Sequence, residues 1–234
     1  MEEKKRFVKD KFSRVTRRYD LVNRLGSFGR DAFWRRKAAE ELAGVPGPLL
    51  DLCAGTLPLA LELVRQSPRK VVALDLTLEM LLYGRWRLRE DPLSPYLACV
   101  GGDAEALPFK DRVFYGATMA FGLRNLARPR KGLAEIFRVL RPGGKVVILE
   151  FSRPQNPFFA PLYALYLRYF MPLLGGTLTG DREAYLYLAR SIYAFASPEE
   201  VLSWMAEVGF KELRAYPLTL GVVTIYTGIK DRSA

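Results

Sequence analysis

Short apolar runs separated by helix-sized segments constrain this chain more than any other feature. Leu49-Leu50-Asp51-Leu52, Val71-Val72-Ala73-Leu74-Asp75, Tyr96 to Val100, Val113 to Ala120 and Val146-Val147-Ile148-Leu149 succeed one another from Pro48 onward. Strands separated by helical segments of this size imply βαβ units and a mostly parallel sheet. A helix is expected from Lys131 to Leu140. Arg141-Pro142-Gly143-Gly144 should stop it and turn the chain into the fifth strand.

With 234 residues, half of them hydrophobic, the chain can fill one well-cored α/β domain with a helical extension. Residues 1–44 read as an N-terminal helical cap, because Phe7, Phe12, Val15 and Tyr19 recur at helical spacing and Trp34 to Leu42 forms a second run ending at Gly44. Residues 48–151 form the core. Residues 152–196 read as a lid or substrate segment: Pro157 to Leu174 is almost wholly apolar and aromatic, with Arg168 its only charge. Pro161, Pro172 and its length argue against a membrane span, which needs about 20 mostly apolar residues. Residues 197–234 close the chain with a helix starting at Ser197-Pro198-Glu199-Glu200 and two strands, Lys211 to Leu218 and Val222 to Ile229.

Composition excludes several chemistries. There are no histidines, which removes Ser-His-Asp hydrolysis and histidine-based zinc sites. Cys53 and Cys99 follow no metal-ligand spacing, and the charged start Met1 to Lys11 does not read as a signal peptide, so a reduced, cytoplasmic compartment is expected. The formal net charge of +11 points to an acidic partner, either nucleic acid or an anionic membrane surface. Much of that charge lies in one expected helix, at Lys4, Lys5, Arg6, Lys9, Lys11, Arg14, Arg17 and Arg18; the bland alternative is a solvated basic face.

The strand ends carry the cofactor signals. Asp51-Leu52-Cys53-Ala54-Gly55-Thr56 lies between a strand and a helix, where a turn containing glycine lets a nucleotide approach the backbone. Asp75 ends the second strand, where a carboxylate can accept from a ribose diol. Gly102-Asp103-Ala104 follows the third strand and could hold an adenine edge. Each aspartate alone could be a turn or cap residue. In order, at consecutive strand ends, they favour an adenosine-type cofactor. Neither G-x-G-x-x-G nor G-x-x-x-x-G-K-[ST] is present, which argues against a dinucleotide or a nucleoside triphosphate and leaves S-adenosylmethionine as the natural candidate. At the end of the fourth strand, Phe121-Gly122-Leu123-Arg124-Asn125 places a cation and an amide where ligands bind in open α/β sheets.

Several motifs resemble the ubiquinone/menaquinone-biosynthesis C-methyltransferases. They are Tyr19-Asp20-Leu21-Val22-Asn23, Ser27-Phe28-Gly29, Trp34, Asp103-Ala104-Glu105-Ala106-Leu107-Pro108-Phe109, Phe121 to Asn125, Leu140-Arg141-Pro142-Gly143-Gly144, Glu150-Phe151-Ser152 and Tyr185-Leu186-Tyr187-Leu188-Ala189-Arg190-Ser191-Ile192. The resemblance covers nearly the whole chain. It implies a Rossmann-type class I S-adenosylmethionine-dependent methyltransferase with a seven-stranded, mostly parallel sheet, N-terminal helices and a helical lid. With Gly55 of the turn, it places Thr56, Asp75, Asp103, Ala104 and Ala120 at cofactor-contacting positions. Leu57 and Pro58 depart from it, standing where the family has glycine and an acidic residue, and Tyr115 stands where it has aspartate.

The implied reaction is C-methylation of a polyprenylated quinol precursor, demethylmenaquinol to menaquinol, by a peripheral membrane visitor. Methyl transfer from a sulfonium needs alignment in a dry site and support for the nucleophile, with no metal. Arg124 is the candidate cation for a ring oxyanion, Asn125 could position ring oxygens, and Tyr19 or Asp20 could relay the proton. Packing or a surface salt bridge is the plain alternative for each. Two rival functions stay open: methylation of RNA or another small molecule, and a catalytically impaired scaffold of the quinone pathway, motivated by Leu57 and Pro58.

Overall fold

Each expected strand forms: β1 (Leu49–Leu52), β2 (Val71–Asp75), β3 (Leu97–Gly101), β4 (Phe114–Ala120), β5 (Leu140–Phe151), β6 (Phe210–Leu218) and β7 (Val223–Lys230). In this computed structural model, which describes residues 2–232 with the side chains of Arg14, Val15 and Arg17 outside the described set, they join in one sheet of order β3-β2-β1-β4-β5-β7-β6. β1 to β5 pair in parallel, and β7 runs antiparallel to both β5 and β6. The chain lays β1, β2 and β3 outward in one direction and resumes at β4 on the other side of β1. A crevice therefore opens beyond the carboxyl ends of β1 and β4, where the order reverses.

Side-chain alternation divides the core. Leu50, Leu52, Leu74, Ala117, Met119, Val146 and Ile148 face one way, against α5 (Pro129–Val139) and α9 (Pro198–Val208). Leu49, Val71, Ala73, Val147 and Leu149 face the other way, toward α2 (Arg30–Glu40) and α3 (Pro58–Gln66). Both faces are covered, which is why these strands read as continuous apolar runs. The Arg141 to Gly144 turn lies inside β5 as a bulge: Leu140 pairs with Phe114 and Lys145 with Gly116, and Gly143 takes φ 76°. Ser197 caps α9 as expected, accepting from the Glu200 N–H at 3.3 Å while the Glu200 carboxylate accepts from the Ser197 N–H at 2.7 Å.

The remaining helices build over the crevice. α1 (Glu2–Gly26) packs against α4 (Leu78–Arg87) and α7 (Met171–Thr179). Between α6 (Phe159–Leu165) and α7 a wide helical turn spans Tyr166–Phe170, directly before Pro172. Proline brings no N–H and its ring crowds the carbonyl one turn earlier, so a widened turn at this point has a local cause. α8 (Arg182–Ala194) follows, capped by Asp181, which accepts from the Ala184 N–H at 3.0 Å. Among the described residues no helix is long and apolar enough to cross a membrane.

Candidate active site

Asp75 anchors the first cleft. Its Oδ2 accepts from the Gly55 N–H at 2.9 Å and its Oδ1 from the Thr77 N–H at 2.7 Å. Burial pushes the carboxyl up from its ordinary value, while the Thr77 and Gly55 amides oppose that shift. A carboxylate offers about four acceptor positions, and at the mouth of the cleft Asp75 is the group suited to accept from hydroxyls. Gly55 reaches this geometry with φ 53°. Asp103, Ala104, Ala120 and Asn125 complete the same cleft. The donor set fits a nucleoside: carboxylates at the ends of β2 and β3, an apolar floor, and close backbone approach. Gly122 keeps that approach possible, since a Cβ there would stand 2.6 Å from the Cβ of Cys53.

The first turns of α1 close one side of the cleft. Lys5 Nζ donates to Asp103 Oδ2 at 2.6 Å, and Lys4 Nζ donates to the carbonyls of Leu126 at 2.6 Å and Arg124 at 3.2 Å. Thr56 is placed apart from the other expected cofactor residues. Its hydroxyl donates to Asp20 Oδ1 at 2.7 Å, Asp20 in turn pairs with Arg87, and this cluster faces a separate polar cleft. Leu57 and Pro58 border that polar cleft rather than the one at Asp75. Leu57 takes the left-handed conformation at φ 71° with its side chain fully buried. The departures thus leave the Asp75 cleft open. Tyr115 lies at the start of β4, the opposite end from the crevice, where Arg141 Nη1 donates to its hydroxyl at 2.8 Å.

A second cavity, of about 970 Å³ of empty space including its open mouth, adjoins the first, and Phe12, Tyr19 and Phe121 border both. Trp34, Phe151, Tyr163, Leu167, Met171 and Ile192 give it an apolar, aromatic lining, interrupted by Tyr19, Asn23, Arg35 and Arg124. Phe121 turns the chain at the end of β4 with φ 58°. Its carbonyl accepts from Arg124 Nη1 at 2.7 Å and from Asn125 Nδ2 at 3.1 Å. Two side chains thereby hold a conformation that L-residues adopt at a cost of about 1–3 kcal/mol.

Of the three expected catalytic residues, Arg124 and Tyr19 line this second cavity. Arg124 is buried with Nη1 2.5 Å from Glu150 Oε1, and its enclosed Nε has no hydrogen-bond partner. Tyr19 spans the junction of the two cavities; burial raises its phenol, and Arg35 and Arg124 partly counter that. Asn125 faces the Asp75 cleft instead. Both its side-chain functions are engaged, because Tyr187 donates to its Oδ1 at 3.1 Å.

Residues 1–230 match the model of the ubiE/COQ5 methyltransferase family. The chain belongs to that family. This ubiE/COQ5 methyltransferase is 41% identical over 231 residues to a protein of Geobacter sulfurreducens named ubiquinone/menaquinone biosynthesis C-methyltransferase UbiE, covering 97% of this chain and 90% of that one. It is 42% identical over 219 residues to a demethylmenaquinone methyltransferase of Thermus thermophilus, covering 93% and 98% respectively. A solved S-adenosylmethionine-dependent methyltransferase of Thermotoga maritima shares the fold at 18% identity, with TM-score 0.66 and coverage of 95% of this chain and 99% of that one. Human N-acetylserotonin methyltransferase does so with TM-score 0.62 at 16% identity, over 92% of this chain and 56% of that one. The protein is an S-adenosylmethionine-dependent C-methyltransferase with the class I fold.

Several residues of the methyltransferase's site were not legible as such. Glu150 stands in one of the quoted motifs, Glu150-Phe151-Ser152, but nothing there marks it as the counter-ion of Arg124. Lys5 is one lysine among many on α1, and Arg35 one of three consecutive basic residues on α2. Nothing in the sequence separates the one that turns inward. Among the described residues no cluster of three acidic or sulfur ligands could hold a metal ion.

Proposed function

We propose that this methyltransferase methylates a ring carbon of a polyprenylated quinol, converting demethylmenaquinol to menaquinol. One observation carries the reading. A large aromatic and apolar cavity adjoins the cleft at Asp75 through Tyr19 and Phe121, with two guanidinium groups on its own wall. A planar, apolar ring with an oily tail suits such walls, and the ring oxygens suit the guanidinium groups. The names of the Geobacter and Thermus relatives support the same substrate class.

S-adenosylmethionine supplies a methyl group on a positively charged sulfur. Asp75 and Asp103 would hold its nucleoside by the ribose hydroxyls and the base edge. The walls formed by Trp34, Phe121 and Phe151 keep water from the ring and restrict its orientation. Arg124, held by Glu150 and the Phe121 carbonyl, presents a fixed donor to a ring oxygen. Tyr19 would pass the hydroxyl proton toward the cleft and solvent.

The helices α6 to α8 serve in this reading as a lid that meets the membrane from the cytoplasmic side. Phe158, Leu162, Leu165 and Leu173 are exposed there with Arg153 and Arg168, and Phe28, which stacks on Phe170 from the turn after α1, adds to the surface beside the exposed Arg24. Exposed apolar side chains with flanking cations suit a bilayer interface bearing anionic lipid. Purified protein incubated with S-adenosylmethionine and demethylmenaquinol in anionic vesicles should yield menaquinol, identified by mass. No product, with cofactor binding absent from calorimetric titration, would instead favour a scaffold; salt-sensitive RNA binding without quinol turnover would favour an RNA substrate.

A further inference from the structure

The second cavity holds two buried guanidinium groups, and their electrostatic situations differ. Arg124 has its counter-ion, Glu150, at 2.5 Å. Lys11, a third cation on the wall, is 3.1 Å from Asp181. Arg35 is as buried as Arg124, 7% exposed against 8%, yet among the described residues it makes no ion pair and no side-chain hydrogen bond, and its Nε is enclosed without an acceptor. Its guanidinium carbon lies 5.1 Å from the centre of the Phe121 ring, on the residue that borders both cavities. Withdrawing a cation from water without a partner costs several kcal/mol. A chain keeps such a group where a reactant brings the opposite charge.

We propose that Arg35 supplies the uncompensated positive charge that holds the substrate's ring oxygen as an oxyanion, while the Arg124–Glu150 pair, neutral as a unit, orients the ring. The inference rests on the quinol reading above. The hydroxyl proton leaves to water, and the ring carbon beside the oxyanion forms its bond to the methyl as the carbon–sulfur bonding pair stays on sulfur. The ring proton at that carbon then leaves to water, which restores the aromatic ring.

Among the described residues no carboxylate lies within ion-pair distance of Arg35, although the charge of Arg35 is felt at Asp51. Asp20 is engaged by Thr56 and Arg87, Asp31 accepts from the Ser27 hydroxyl, Asp51 accepts from Thr118, and Glu62 pairs with Arg36. On the solvent side the cleft carries Arg24 and Arg65 together with Asp31, while Arg87 is taken by Asp20. The phenols of the cavity, Tyr19, Tyr163, Tyr166, Tyr185 and Tyr187, are all raised by burial. A limb of the pH profile below their range belongs either to the substrate hydroxyl or to Asp51, which burial raises to about 7, and Asp51→Asn separates the two: a limb that persists in that variant is the substrate's.

Arg35→Met and Arg35→Lys test this in the full chain. Loss of the charge should leave the Met variant as stable as the wild type or more so, with S-adenosylmethionine affinity unchanged by titration. Its kcat/KM for demethylmenaquinol near neutral pH should fall by about tenfold or more, and the rising limb should move up by about one pH unit or more. Arg35→Lys should keep the limb near its wild-type position. An unmoved limb overturns the proposal. So does weaker cofactor binding with the limb in place, which would assign Arg35 to the cofactor carboxylate, or a Met variant that melts far earlier, which would make Arg35 structural. A wild-type protein that binds cofactor but is inert toward demethylmenaquinol overturns the substrate reading and the oxyanion role together.

Discussion

Glu150 grips Arg124 twice: its Oε1 accepts from Nη1 at 2.5 Å and its Oε2 from the Arg124 backbone N–H at 3.1 Å. One fully buried carboxylate thus sets both the loop after β4 and the side chain that the loop presents to the cavity. The guanidinium also lies 5.1 Å from the centre of the Phe151 ring, which limits its freedom further.

Removing either partner strands a charge in the core. Arg124→Met and Glu150→Leu should each lower stability by about 3–5 kcal/mol, and the double variant should recover most of that loss. Turnover should fall by about a hundredfold or more wherever Arg124 is missing, because ring alignment is lost. Cofactor affinity in the double variant should persist. Denaturant melts, calorimetry and single-turnover assays check these points, and additive losses in the double variant would sink the pairing argument.

Lys5 and Asp103 meet across the nucleoside cleft, so the ion pair should act as a latch on cofactor entry. With both side chains partly exposed, the pair contributes at most about 1 kcal/mol to stability. Lys5→Ala should leave the melting temperature nearly unchanged, speed cofactor association and blunt its dependence on salt. The hydrogen bond to Asp103 raises the Lys5 ammonium above its ordinary 10.5, so the latch is intact below that pH and lost as pH climbs through the raised value. Stopped-flow association that is equally fast in both proteins would remove the latch.

Burial raises the Asp51 carboxyl from 3.8 to about 7, against the opposing hydrogen bond from Thr118. A raised acid binds more protons folded than unfolded between those values, so its contribution to stability declines as pH rises from about 4 to 7. Asp51→Asn keeps an acceptor for Thr118 and removes the titration. It should flatten the stability profile over this window and melt higher than wild type at pH above it. An unchanged profile would show that other groups govern the slope.

Gly84 lets α4 lie against the Thr56 turn. A Cβ there would stand 2.7 Å from the Thr56 carbonyl oxygen and 2.8 Å from its carbon, both backbone atoms that cannot turn aside. Gly84→Ala should cost about 1–3 kcal/mol and weaken cofactor binding, because the displaced turn also carries the Gly55 N–H that holds Asp75. Full affinity in a stable variant would separate the turn from the cleft.

How much was legible follows the range of the interactions. The strand runs, the capped helix at Ser197 and the carboxylates ending β2 and β3 depend on neighbours close in sequence, and they stand where the pattern put them. Thr56 sits away from the nucleoside cleft because its hydroxyl finds Asp20, 36 positions earlier. Leu57 departs from the family pattern, standing where glycine is expected. The turn rotates it into the core, and burial of the side chain offsets the left-handed backbone.

The sequence alone determined the α/β layering, the carboxylates at the ends of the second and third strands, and the family. Apolar periodicity and turn chemistry act over a few residues, and the family's motifs are read directly. Only the tertiary structure decided which cations face the reaction and which of them keep their charge. Arg124 finds its counter-ion 26 residues away on the neighbouring strand, while Arg35, on a helix packed from the other side, finds none among the described residues. Net electrostatics in a low-dielectric cavity depends on where every charge ends up, and that is a property of the folded arrangement.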